Sequence, residues 1–100
     1  MILIKTQDQF NEYIKHNNVL VFFYAEWNNP CKMMIPIIYK LSNERNDYEF
    51  ISVDMDRLMR IGREYRINQV PAYRIISNGE VKKEFSGLMS EEEFIKILDE

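Results

Sequence analysis

The chain has 100 residues, a formal net charge of −3 at pH 7 and a hydrophobic share of 46%, which is the composition of one globular domain over residues 1–100. The acidic excess argues against nucleic-acid binding because it would repel phosphates. No apolar run reaches the roughly 18 residues of a membrane span, and no basic segment followed by an apolar one indicates a signal peptide. The single cysteine cannot form an intrachain disulfide, so we expect a reducing, cytoplasmic location.

The first predicted elements are a short strand at Ile2–Ile4 and a helix that extends to about His16. Thr6 and Gln9 have the spacing of a capping box at the start of this helix. His16 is interpreted as a solvated residue at the helix end, because the chain has no second histidine to share a metal. Val19–Ala25 is a nearly continuous run of β-branched and aromatic residues, which predicts a strand buried on both faces.

The second predicted helix runs from Pro30 to about Arg45. Pro30 suits a first helical turn, where its missing N–H is harmless, whereas Pro36 lies in the interior and predicts a kink. A strand at Tyr48–Val53 and a short helix near residues 58–65 follow. Arginines recur at every third position of that helix, which predicts a solvated charged face rather than a docking site for an acidic partner: Arg57, Arg60, Arg63 and Arg66.

The last third of the chain predicts a strand at Ala72–Ile76, a tight turn at Asn78-Gly79 and an antiparallel return strand at Glu80–Phe85. A second capping-box spacing, Ser90 with Glu93, begins a final helix. Its apolar residues are expected to face the sheet: Phe94, Ile95, Ile97 and Leu98.

The segment Trp27-Asn28-Asn29-Pro30-Cys31-Lys32 resembles the thioredoxin active-site motif Trp-Cys-Gly-Pro-Cys-Lys. Val70-Pro71 is similar to the family's Ile-Pro, whose proline is cis, and Gly87 stands where the family closes the same groove with a glycine. The element order βαβαβαββα also matches. The resemblance covers essentially the whole chain and implies an α/β thioredoxin fold, in which four helices flank a mixed five-stranded sheet.

The sequence departs from the family at the chemistry. Asn28 stands where the family has its attacking cysteine, and Cys31 keeps only the resolving position. Thiol–disulfide exchange needs an attacking thiolate, which an amide cannot replace, whereas Asn is a common helix cap. The family's buried aspartate and neighbouring lysine, which assist proton transfer, correspond to Phe22 and Ser52. We therefore expect a shielded Cys31 without dithiol activity.

Two functions remain open at this stage. The first is binding of a protein or extended peptide in a groove implied by the resemblance: Trp27, Asn29, Pro30, Val70, Pro71 and Gly87, with Tyr73 nearby. The alternative is a monothiol redox protein that forms mixed or intermolecular disulfides through Cys31. Trp27 either anchors a partner or only packs on the turn. A thioredoxin engineered at Asn28 is a further alternative, which the departures at Phe22 and Ser52 disfavour. No metal or cofactor is expected, and the chain is expected to be a monomer or weak dimer.

Overall fold

The computed structural model describes residues 1–100. Five strands and four helices alternate in the predicted order, with the following bounds: β1 Ile2–Leu3, α1 Gln7–Tyr13, β2 Val19–Tyr24, α2 Asn29–Glu44, β3 Glu49–Asp54, α3 Met59–Glu64, β4 Ala72–Ser77, β5 Glu80–Ser86 and α4 Glu91–Asp99. No helix is both long and apolar enough to cross a bilayer.

The strands form one mixed sheet in the order β1-β3-β2-β4-β5. The strand β2 lies at its centre, parallel to β3 and antiparallel to β4, and β4 and β5 form the hairpin predicted from Asn78-Gly79. This arrangement confirms the expected fold class.

Hydrophobic clusters cover both faces of the sheet, because alternate residues of the central strand point to opposite sides. Val21 and Phe23 belong to one cluster, whereas Leu20 and Phe22 belong to the other. In β2 only Tyr24 is even partly exposed, as expected for a strand buried on both faces.

The first helix is shorter than predicted, since it ends at Tyr13 rather than near His16. The residues that follow form a tighter turn, in which Lys15 N–H donates to the Glu12 carbonyl at 3.3 Å and His16 N–H to the Tyr13 carbonyl at 3.0 Å. Asn18 then takes a positive φ of 53°. Asparagine tolerates this left-handed backbone, and the helix cannot continue through it.

Three other predictions concern the helices. Helix α2 begins with Pro30 in its first turn and continues through Pro36. In α4 only Phe94 and Leu98 are fully buried, so Ile95 and Ile97 at the edge of its apolar face are less covered than expected. The arginine-bearing face is solvated, and two of its ion pairs are long: exposed Arg57 faces buried Asp54 at 3.6 Å, and Arg60 faces Glu64 at 3.8 Å, with both side chains exposed.

Candidate functional site

The turn between β2 and α2 lies at the carboxyl end of the central strand, where α/β proteins commonly place functional groups. Asn28 caps the helix, because its side-chain oxygen Oδ1 accepts a hydrogen bond from Cys31 N–H at 2.9 Å. Its backbone N–H donates to the Ala25 carbonyl at 3.1 Å. The residue in place of the attacking cysteine thus holds the turn closed.

Cys31 is fully buried, with an exposed fraction of 0%. Burial raises the pKa of its thiol, and a backbone hydrogen bond involving Ala25 opposes this effect only in part. The residues at the positions of the family's proton-transfer pair are Phe22 and Ser52, which are register partners on β2 and β3 and are both buried. Neither side chain can accept the thiol proton as a base at neutral pH, and this agrees with the direction in which burial moves the pKa of Cys31.

Trp27 is the most exposed large hydrophobic residue, at 69%. Its indole Nε1–H donates to Asp56 Oδ2 at 3.1 Å, and this bond orients the ring beside an open hollow of about 360 Å³. We call this space the Trp27 hollow; its lining residues are Ala25, Trp27, Asn28, Met55, Asp56, Ile67, Asn68, Gln69 and Val70.

The backbone at Val70 is unpaired. Neither its N–H nor its carbonyl takes part in a hydrogen bond within the chain, although Val70 is half-buried. The Val70–Pro71 peptide bond is cis. Pro71 itself is buried, and its carbonyl accepts from Gly87 N–H at 2.9 Å. The backbone donor and acceptor of Val70 are therefore left without a partner in the chain, beside the capped turn.

The structure brings together only some of the predicted site residues. Trp27, Asn28 and Val70 line one hollow, whereas Asn29 and Pro30 lie on the adjoining first turn of α2, outside its lining. Pro71 and Gly87 do not line the hollow. Pro71 follows Val70 in the chain, and the hydrogen bond between Gly87 N–H and the Pro71 carbonyl brings Gly87 next to it.

Tyr73 does not belong to the exposed surface of the predicted groove. It is fully buried and donates its hydroxyl proton to the Gly87 carbonyl at 3.2 Å, so it supports the groove from beneath. It packs on Phe22 with ring centroids 5.6 Å apart, which explains why a residue adjacent in sequence to the groove points into the core.

Sequence reasoning missed several residues of the hollow: Met55, Asp56, Ile67, Asn68 and Gln69. Leu88, exposed at 52% beside Gly87, was missed as well. The position of Asp56 could have been predicted from the sequence. It follows strand β3, which is parallel to β2, and so lies at the same edge of the sheet as Trp27. Asn68 and Gln69 directly precede Val70, which was identified.

The sheet order, the packing of α1 and α3 on one face of the sheet and of α2 and α4 on the other, and the turn between β2 and α2 define a thioredoxin-fold protein. The thioredoxin family model matches residues 1–100, and the chain therefore belongs to the thioredoxin family.

Individual relatives agree with this assignment. The chain is similar to thioredoxin-3 of Dictyostelium discoideum, 34% identical over 87% of this chain and 84% of that protein. It is also similar to monothiol glutaredoxin-4 of Saccharomyces cerevisiae, 32% identical over 99% of this chain but only 43% of that protein. The solved structure of Plasmodium falciparum thioredoxin superposes with a TM-score of 0.93 at 25% identity, over 99% of this chain and 97% of that one.

Proposed function

We propose that this thioredoxin-family chain binds an extended peptide segment of a partner protein without dithiol–disulfide exchange. The binding site is the peptide groove, which we define as Trp27, Val70, Pro71 and Gly87 together with the first turn of α2. The observation that carries the proposal is the unpaired backbone of Val70.

A free N–H and a free carbonyl on one residue match the two hydrogen bonds that an extended strand offers to its neighbour. Backbone pairing of this kind supplies affinity without requiring one partner sequence. Half-buried polar groups are costly to leave without a partner. Val70 thus favours addition of a short strand at this point.

Trp27, which lines the same hollow as Val70, and Leu88, which follows Gly87, supply exposed apolar surface, with exposed fractions of 69% and 52%. Tryptophan is enriched among residues that dominate binding energy. The Asp56 hydrogen bond holds the indole in place before a partner arrives, which lowers the ordering cost of association.

Exchange chemistry is excluded from the proposal for two physical reasons. Asn28 offers no nucleophile, and its side chain is already engaged as a cap. Cys31 is buried, and its pKa is raised by that burial. A thiol in this state has little thiolate and no access to a disulfide.

The experiment titrates the ¹⁵N-labelled chain with insulin B chain whose cysteines have been reduced and alkylated, which is an extended peptide that cannot exchange. We expect saturable shifts of the Trp27, Val70 and Gly87 amides. Trp27→Ala is expected to weaken binding about tenfold, as for an aromatic anchor. Tyr39→Ala is the matched control, because Tyr39 is exposed at 50% on α2 and lies outside the groove. Equal affinity of the two variants, or no saturable shift, would refute the proposal.

The rival function, monothiol exchange through Cys31, has the yeast monothiol glutaredoxin-4 similarity in its favour and the burial of Cys31 against it. Insulin reduction with an external dithiol separates the two. We expect no acceleration above the dithiol alone by wild type or by Cys31→Ser. Turnover that wild type shows and Cys31→Ser loses would establish the rival.

A further inference from the structure

The segment that leads into the peptide groove, residues 68–70, belongs to no helix or strand. None of its residues makes a backbone hydrogen bond within the chain. Asn68 and Gln69 are exposed, and Val70 is half-buried. A surface segment without backbone pairing and with little buried surface is expected to open easily, so the position of Val70 depends on other contacts.

One side-chain hydrogen bond ties this segment to the sheet. The Gln69 Nε2–H group donates to Ser86 Oγ at 2.8 Å, and this is the only hydrogen bond that residues 68–70 make within the chain. Ser86 is the last residue of β5 and the register partner of Ala72 on β4. The bond therefore joins a segment without regular structure to the ordered end of the hairpin.

Val70 is thereby attached on both sides to the same end of β5. Before it in the chain, Gln69 is bonded to Ser86. After it, the Pro71 carbonyl accepts from Gly87 N–H at 2.9 Å. Two attachments that flank one residue restrict its backbone torsions, and neither of them uses the N–H or the carbonyl of Val70. The free donor and acceptor are held in position and stay available.

The side chain of Gln69 stands between two hollows. It lines the Trp27 hollow and also a second hollow of about 180 Å³, which Ser86 lines as well. Ser86 does not line the Trp27 hollow. A change at Gln69 therefore affects both direct contact with a bound peptide and the support of Val70, whereas a change at Ser86 affects the support alone.

We propose that Gln69 is a positioning residue for the peptide groove, because its hydrogen bond to Ser86 holds the backbone of Val70 ready to pair with an extended strand. This inference rests on the proposed function, since it assigns a role to a further residue at the same site. Holding the segment in the free protein lowers the ordering cost of association. Without the bond, each binding event must first order residues 68–70.

The test measures the affinity of the ¹⁵N-labelled full chain for the alkylated insulin B chain. Gln69→Ala and Ser86→Ala are each expected to weaken binding about threefold, within the range for one hydrogen bond. Because both changes remove the same bond, the double variant should be no weaker than either single variant. Equal affinity of wild type and Ser86→Ala would overturn the proposal, as would a double variant that is weaker by about ninefold, the product of two independent effects.

A second readout separates positioning from a general effect on the fold. The order parameter of the Val70 amide in the free protein should fall from about 0.85, the value of rigid backbone, to below about 0.6 in Gln69→Ala. Both partners of the bond are exposed, so the urea unfolding midpoint should stay close to that of wild type. Ser86→Thr keeps the hydroxyl and should bind like wild type. An unchanged order parameter at Val70 would contradict the proposed role.

Gln7→Ala is the matched control, because it removes a surface side-chain hydrogen bond of the same kind on α1, from Gln7 Nε2–H to Asn11 Oδ1 at 2.9 Å. It should change neither the affinity nor the Val70 order parameter. Failure of the groove and failure of this role give different results. If wild type shows no saturable binding, the groove is refuted and this role with it. If wild type binds and Gln69→Ala binds equally well, only the role of Gln69 is refuted.

Discussion

Replacing Asn28 with alanine tests whether the residue in place of the attacking cysteine shields Cys31. The Asn28 Oδ1 oxygen accepts from Cys31 N–H at 2.9 Å, and losing an N-cap of this type costs about 1 kcal/mol. Because the donor of this hydrogen bond is the Cys31 N–H, its loss should destabilise the first turn of α2 in particular. Local opening of this turn should become about fivefold more frequent, and the global free energy of unfolding should fall by about 1 kcal/mol.

The assay is the rate at which the native protein reacts with a chromogenic disulfide reagent, together with urea unfolding. Only an opened turn exposes the thiol, because Cys31 is 0% exposed. We therefore expect slow labelling of wild type at neutral pH and about fivefold faster labelling of Asn28→Ala. The rate should keep increasing above about pH 8.5, the ordinary cysteine pKa, because burial raises the pKa of this thiol.

Two variants serve as controls. Asn28→Ser keeps a side-chain cap acceptor and should label like wild type. Thr6→Ala removes the α1 cap, whose hydroxyl accepts from Gln9 N–H at 3.1 Å, at a similar cost in stability but far along the chain. It should leave the labelling rate unchanged. Rapid labelling of wild type at neutral pH, or equal acceleration by Thr6→Ala, would refute the claim that the Asn28 cap limits access of the reagent to Cys31.

Three further predictions concern the turn, the groove and the surface. Asn28→Cys should form a disulfide with Cys31 but should reduce insulin slowly, because Phe22 replaces the buried carboxylate that would assist proton transfer. Rates equal to those of a dithiol thioredoxin would show that this carboxylate is dispensable. Tyr73→Phe should lower the free energy of unfolding by about 1 kcal/mol in urea and shift the Gly87 amide, because it removes the bond to the Gly87 carbonyl; an unchanged Gly87 signal would contradict that support. A hydrogen bond from Arg45 lowers the pKa of Asp47, so its contribution to stability is present above about pH 4 and is lost as the pH falls through the lowered value. Asp47→Asn should therefore flatten the loss of stability below about pH 4 in urea titrations, and an identical acid profile would contradict it.

Local patterns predicted the parts of the fold that depend on neighbouring residues. The apolar run at Val19–Ala25 predicted the central strand, Asn78-Gly79 predicted the hairpin, and the position of Asn28 before Pro30 predicted the cap. Each of these signals acts over a few residues, through backbone preference or a single side-chain hydrogen bond. The end of α1 was misjudged, because the change to a tighter turn after Tyr13 leaves only a weak trace in the sequence.

The candidate site was only partly predictable. Trp27, Asn28 and Val70 were identified through the family resemblance. Asp56 and Gln69 were not, because their proximity to Trp27 depends on where separate segments meet at the edge of the sheet. The complete burial of the Tyr73 side chain was not predictable either, because it depends on stacking against Phe22, a contact between two strands that are far apart in the sequence.

The sequence alone determined the family, the element order and the loss of the attacking thiol, since these follow from residue identity and short-range spacing. Tertiary structure decided that Val70 keeps an unpaired backbone, that Cys31 has no exposed surface and that a hollow opens beside Trp27. The physical reason is that burial and free volume are sums over neighbours from several strands and helices. No single segment of the chain specifies them.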